Sequence, residues 1–240
     1  MNARRRSPIL AALLIALLAA LLAGCGGSSS SSSSSGNGVA DKSPTAIIAA
    51  TKAAADGAKS VHVSGSLVSG GSPITLDMDL LAGKGGRGQL SQDGLSFELI
   101  EVGGTVYIKG SQAFYKHIGG SAAAQLLQGK WLKAPANSSD FASLGQLTNL
   151  RELIDQTLSD HGSLTNSGTT TVKGQKVVGI TDKTEGGTLY IAATGKPYPV
   201  EIAKNGAGSG GITFDRWDEP VTLSAPANAI DVAALQAAAK

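Results

Sequence analysis

The chain has 240 residues, a formal net charge of +2, 42% hydrophobic and 16% charged residues, 32 glycines and one cysteine. That length fits one or two globular domains, the charge balance gives no case for nucleic acid, and a lone cysteine excludes a disulfide-stapled or cysteine-zinc scaffold.

Arg4, Arg5 and Arg6 precede an unbroken apolar run from Ile9 to Leu22. At about 1.5 Å per residue the run reaches roughly 21 Å, short of the ~30 Å hydrocarbon core, so it suits the h-region of a signal peptide better than a membrane span. It ends in Leu22-Ala23-Gly24-Cys25, which resembles the lipobox of bacterial lipoproteins. The resemblance implies cleavage after Gly24 and a diacylglyceryl group on the Cys25 sulfur; the blander reading is an ordinary secretory signal with an incidental cysteine. Loss of residues 1–24 removes three of the 20 basic residues and none of the 18 acidic ones, so the net charge turns weakly negative. Residues 25–42, with serines from Ser28 to Ser35 between glycines, read as a tether of about 20 to 25 Å reach. Two or three acyl chains would anchor it durably, since each buried methylene contributes about 0.8 kcal/mol and a single chain holds only marginally. Residues 43–240 remain for one well-buried domain.

Ser43 and Pro44 read as the N-cap and first position of a helix to about Ala55, with Ile47, Ile48 and Ala54 toward one side and Gly57 closing it. From Val61 the period becomes 2. In Pro73 to Leu80, Ile74, Leu76, Met78 and Leu80 share one face while Thr75, Asp77 and Asp79 share the other, the mark of a half-buried antiparallel strand. Further strands are expected at Val61–Val68, Gly88–Gln92, Leu95–Val102, Thr105–Lys109 and Phe114–His117. After a helical stretch they resume at Thr169–Lys173, Lys176–Asp182, Thr188–Ala193, Val200–Lys204, Ile212–Trp217 and Val221–Ser224. Asp93-Gly94, Gly103-Gly104 and Lys173-Gly174 are hairpin turns. The helical stretch, Asp140 to His161, carries Phe141, Leu144 and Leu147 at helical spacing. A second helix follows, capped by Asn149 with Glu152 three positions on; Leu150, Leu153, Ile154 and Leu158 form its stripe, Arg151 faces Asp155, and Gly162 stops it. The stripe needs an apolar surface, and the inner face of the sheet supplies one. Gly103 to Ile108 is echoed by Gly186 to Ile191, either two related sheet halves or reused hairpin vocabulary.

Little in the chain points to catalysis. Two G-x-G-x-x-G matches, Gly83/Gly85/Gly88 and Gly206/Gly208/Gly211, lead into strands rather than helices and so lack the geometry that cradles a dinucleotide. His62, His117 and His161 lie far apart in sequence, with no nucleophile elbow or Walker loop; His161 suits the end of a helix, where a cation is favoured. Asp77 and Asp79 project together but read as a solvated strand face rather than a cation site. Lys84 and Arg87 are ordinary surface cations that an anionic head group would meet. Trp131 and Trp217 fit either a pocket rim or core packing. No cofactor, metal or catalytic residue is expected.

The order of these features resembles the LolA-like lipoprotein carriers of actinobacteria, the LppX and LprG group. The likeness spans nearly the whole chain after the leader: lipobox, tether, a helix into Ser60-Val61-His62-Val63-Ser64-Gly65, Gly129-Lys130-Trp131 before the central helices, and Ile212 to Pro226 as a closing strand pair. It implies an α+β fold, an open half-barrel of roughly ten or eleven antiparallel strands with helices in the concavity. It also implies a non-enzymatic protein, lipid-anchored on the extracytoplasmic face of the cell membrane, that takes lipid or lipoglycan acyl chains for transport across the envelope. The candidate lining is then Ile74, Leu76, Met78, Leu80, Phe97, Leu99, Val106, Ile108, Leu189, Ile191, Ile202 and Phe214 from strands, Leu150, Leu153 and Ile154 from the second helix, and Trp131 and Trp217. The alternative is an envelope interaction or sensor module with a protein partner and a filled core.

Overall fold

Helix α1 (Pro44–Asp56) begins where Ser43 accepts the Ala46 N–H on its hydroxyl at 3.3 Å. It buries Ile47, Thr51 and Ala55, a strict i, i+4, i+8 line, rather than the Ile47, Ile48, Ala54 side expected. The computed structural model describes residues 36–69, 71–138, 141–204 and 209–238. The expected leader, Cys25 and the serine run lie outside them. Gly36 to Asp41, expected as tether, is docked instead. The Asn37 N–H donates to Ala193 O at 2.9 Å, its side-chain amide donates to Ala192 O at 2.9 Å, and Val39 is buried. The folded unit therefore starts at Gly36.

Among the described residues, twelve strands form one sheet. They are β1 (Ser60–Ser69), β2 (Ser72–Leu81), β3 (Gly85–Gln92), β4 (Leu95–Val102), β5 (Thr105–Gly110), β6 (Leu132–Pro135), β7 (Leu164–Val172), β8 (Gln175–Asp182), β9 (Thr188–Ala192), β10 (Pro199–Lys204), β11 (Gly210–Asp215) and β12 (Ile230–Asp231). Their order is β12-β6-β5-β4-β3-β2-β1-β11-β10-β9-β8-β7. Every pairing is antiparallel except β6 with β12, and the sheet is open, with β7 and β12 as its edges. The chain enters in the middle, meanders out to β6, crosses to β7 at the far edge, and meanders back to lay β11 beside β1. That crossing must pass over one face. It is made by α3 (Ala142–Leu147) and α4 (Leu150–Ser159), whose apolar stripe pays for the passage by covering the sheet.

The register shows which side chains share that covered face. Val61, Val63 and Leu67 of β1 stand opposite Leu80, Met78 and Ile74 of β2, and Val63 stands opposite Phe214 of β11. Leu99 pairs with Ile108, and Ile202 with both Ile212 and Leu189. Leu150, Ile154 and Leu158 of α4 close on Val61, Val63, Leu80, Leu99, Val106 and Phe214 in one buried cluster. The covered face is thus the one carrying Leu76 and Met78. The echoed segments both follow paired glycines and both face inward, Val106 and Ile108 on β5 and Leu189 and Ile191 on β9.

Several expected elements differ. Phe114–His117 is not a strand but part of α2 (Gln112–Leu127), because Ser111 caps the Phe114 N–H at 3.2 Å and local capping outweighs aromatic strand preference. Tyr115 is buried there; its hydroxyl accepts the Gly110 N–H at 2.9 Å and donates to Lys130 O at 3.1 Å. Val221–Ser224 forms no strand. Arg216 and Asp218 take left-handed φ of 49° and 63°, turning the chain out of the sheet, and β11 already has β1 and β10 as neighbours. β6, β12 and α5 (Val232–Ala238) are additions. Asp155 pairs with Lys52 of α1 rather than with Arg151. Asp160, not Gly162, caps α4.

Candidate functional site

On a helical wheel Leu150, Ile154 and Leu158 fall on one flank of the α4 stripe and Leu153 and Thr157 on the other. Of the first flank, Leu150 and Ile154 pack solidly. The second faces a hollow of about 180 Å³ lined by Val63, Leu67, Leu76, Met78, Leu80, Leu90, Leu147, Leu153, Thr157, Ile202, Ile212 and Phe214. Thr157 supplies the one hydroxyl of that lining. Leu147, at the end of α3, is 36% exposed and stands at the opening.

Two glycines let the strands approach closely beside the hollow. Between Val63 and Leu67 the inward position of β1 is Gly65, at φ 146°, where a Cβ would fall 2.0 Å from Gly211 O. Opposite Met78 on β3 stands Gly88, where a Cβ would fall 2.0 Å from Asp77 O and 2.5 Å from the Met78 sulfur, so the Met78 side chain lies over it.

A second hollow of about 230 Å³ shares Thr157 and Ile202 with the first. Ile48, Leu158, Leu164, Ile180 and Leu189 line its depth, and Asp160, His161, Asp182, Glu185 and Lys204 its rim. Asp182 ties the rim together. It accepts the N–H groups of Gly162 at 2.8 Å, Glu185 at 3.1 Å and Thr184 at 2.7 Å, and these, the Gly162 amide foremost, hold its carboxyl below the usual range.

Of the expected lining, Leu76, Met78, Leu80, Leu153, Ile202 and Phe214 meet at the first hollow and Leu189 and Ile202 at the second. Others sit elsewhere. Leu99, Val106, Ile108, Leu150 and Ile154 are in the solid core under the first α4 flank. Ile191 is buried with Val39, Ile47 and Val178, because the docked N-terminal segment covers it. Phe97 packs on Phe114, ring centroids 5.2 Å apart, under α2. Ile74, half-buried near the start of β2, lines neither hollow. Trp131 lies beneath the Lys109 ammonium, 5.0 Å from its ring centre. Cys25 lies outside the described residues. Val63, Leu67, Leu90, Leu147, Thr157 and Ile212 are the unanticipated members. Alternation with Val61 and Phe214 flags Val63, Leu67 and Ile212, whereas Leu90 stands alone between Gln89 and Ser91 and Thr157 carries no apolar signal.

Trp217 belongs to a clamp at the other end of the sheet. Its Nε1–H donates to Pro199 O at 3.0 Å and its ring stacks on Tyr198 at 4.3 Å. Beside it Asp218 accepts the Lys59 N–H at 2.8 Å, the Tyr198 hydroxyl at 2.8 Å and the Lys196 ammonium at 2.9 Å. The Lys196 bond foremost, then the Lys59 amide, hold the Asp218 carboxyl down to about 2. A broader groove of about 460 Å³ runs along this clamp, where Lys59, Lys84, Asp218 and Glu219 share the wall with Ala58, Leu81, Ala82, Pro220 and Val221.

The outer face is ion-paired. His62 stands between Asp215 at 2.7 Å and Asp77 at 3.2 Å, and Asp79 receives Arg216 at 2.9 Å and Arg87 at 3.4 Å. Asp79 is thus ion-paired across the strands, while Asp77, 72% exposed, keeps the solvated position expected of it. His117 lies on α2 and His161 just past α4, where its Nδ1 lies 3.0 Å from Gly162 O. The segment Gly83–Gly88 runs into β3, not into a helix; Gly206 and Gly208 lie outside the described residues.

No protein-family model and no curated protein matches the chain. Among solved structures it is similar to LprF from Mycobacterium bovis, with 18% identity over 77% of this chain and 97% of that one, at a TM-score of 0.53. It is likewise similar to the lipoprotein LppX of Mycobacterium tuberculosis, with 20% identity over 75% of this chain and 98% of that one, at a TM-score of 0.51. The chain has their fold.

Proposed function

We propose that this chain is a lipoprotein of the LppX and LprG group, anchored through Cys25 on the extracytoplasmic face of the cell membrane. It carries lipid or lipoglycan acyl chains across the envelope without catalysing a reaction. The observation that supports this is the hollow under α4, with eleven aliphatic or aromatic side chains and one hydroxyl, on a fold shared with LprF and LppX. An apolar space needs no directional partner to hold a flexible chain; it gains about 25 cal/mol per Å² of surface removed from water.

Size refines the reading. An apolar cavity of about 150 Å³ takes a benzene, so the first hollow holds a stretch of roughly six carbons. At about 0.8 kcal/mol per methylene that yields about 5 kcal/mol, a dissociation constant on the order of 0.1 to 1 mM. A carrier must hold its cargo more tightly. A long chain would therefore run on past Thr157 and Ile202 into the second hollow, or displace α3 and α4 from the sheet. The interaction-module reading has less support, since a filled core leaves no such space beneath Leu153.

The test is to purify the chain without denaturant and analyse extracted lipid by mass spectrometry, together with uptake of a fluorescent fatty acyl probe. Co-purifying lipid or stoichiometric uptake is expected; absence of both contradicts the proposal. Cys25→Ala should also move the protein from the membrane to the soluble fraction.

A further inference from the structure

The two hollows differ in chemistry although they touch. The first has a single hydroxyl among its lining residues, whereas the second is apolar in depth and charged at its rim. An amphiphile has one way to satisfy both: its chain lies toward Leu90 and Phe214, and its polar head sits at the Asp182 end.

We infer that the rim of the second hollow selects the head group by charge, favouring a cationic head over an uncharged one and disfavouring a carboxylate or phosphate. This rests on the lipid-carrier reading above and deepens it.

The groups that face the hollow come from four places. Asp160 and His161 follow α4, Asp182 ends β8, Glu185 lies in the loop between β8 and β9, and Lys204 ends β10; α1 contributes only Ile48. Three carboxylates stand against one lysine and the His161 imidazole. Asp182 keeps its charge at neutral pH, since three backbone N–H groups stabilise the ionised form. Its oxygens are occupied by those donors, but the charge still acts on whatever sits above it. Asp160 and Glu185 are exposed and free to turn toward a ligand. An anionic head would meet like charge at the mouth of the hollow, weakened by the water and salt there. An ammonium would meet opposite charge, and a hydroxylated head would find carboxylate acceptors at no electrostatic cost.

The experiment titrates the unit from Gly36 to Lys240, which contains the whole sheet and its core, with three ligands of equal chain length below their micelle concentrations. They are dodecyltrimethylammonium, monolaurin and laurate, followed by calorimetry at neutral pH. The expected order of affinity is as written, with about tenfold between the first and the last, narrowing as salt rises. Asp160→Lys combined with Glu185→Lys should reverse laurate and dodecyltrimethylammonium. Equal affinities, or laurate the tightest in the unmodified protein, would overturn the head-group inference and leave the carrier reading standing. Binding of none of the three would overturn both. The salt series on the unmodified protein decides the matter even if the double variant does not fold.

Discussion

The two ends of the sheet are built on opposite terms. At the end where β11 closes, aromatic and charged side chains lock three segments together. Trp217 stacks on Tyr198, and Asp218 gathers Lys59, Tyr198 and Lys196. At the end where β8 and β10 finish, aliphatic side chains stand back from α4 and leave connected hollows. At the clamp directional groups join segments through the end of the sheet, whereas at the open end they are confined to the rim around Asp182 and the depth is left to undirected side chains. A site for flexible chains needs area and looseness, which specific hydrogen bonds would only restrict.

Substitutions at the two ends test this contrast. The largest effect is expected in the solid core under Leu150 and Ile154: Leu99→Ala, at a position with 0% exposure, should cost about 2–5 kcal/mol in urea unfolding. A cost below about 1 kcal/mol would show that the core there is as loose as the open end. Next comes Asp218→Asn, expected to cost about 1–3 kcal/mol at neutral pH by removing a charge that receives three donors. The sign of its pH dependence follows from the folded value. The carboxyl is held down to about 2, below the ordinary value of about 3.9. Its contribution is therefore whole above about pH 4 and is lost as pH falls through about 2. The stability gap between wild type and variant should close over that window; a constant gap would mean that the clamp works by shape alone.

At the open end, Leu153→Trp should change stability by no more than about 1.5 kcal/mol, since space is waiting for the ring, yet reduce acyl-probe binding at least about tenfold. Stability loss comparable to Leu99→Ala would mean that the space is not there. The smallest effect belongs to Lys52→Ala. Lys52 and Asp155 are 42% and 47% exposed, and a solvent-screened pair of this kind should leave the melting temperature unchanged within error.

The same contrast explains what the sequence makes legible. Strand β2 is readable from alternation because it buries one face and wets the other, and α4 is readable from its cap and stripe. The crossing of α3 and α4 over the sheet follows from topology once the stripe needs a surface. The hollow is not legible. A void depends on what stands opposite a residue, and the sequence of β3 gives no sign that Leu90, in register with Leu76 and Phe97, shares a hollow with Thr157 of α4. Likewise Leu150 and Leu153 are equal members of one stripe, though one packs solidly and the other faces space. The motif around Trp217, the most distinctive run in the chain, marks the clamp instead, because distinctive side chains are those with directional partners. Docking of Gly36 to Asp41 escapes composition for a related reason: Asn37 and Val39 find their partners at Ala192, Ala193 and Val178, more than a hundred residues away.

The claim on which all of this turns is that acyl chains occupy the space beneath Leu153. The most direct measurement is a crystal structure of the unit from Gly36 grown with a fatty acyl chain brominated near its tail, read by anomalous scattering. The account predicts bromine density among Leu76, Leu90, Ile212 and Phe214, with the rest of the chain passing Thr157 toward Asp182. Bromine only on the outer surface or in the groove beside Asp218, or no bromine at saturating ligand, would contradict it.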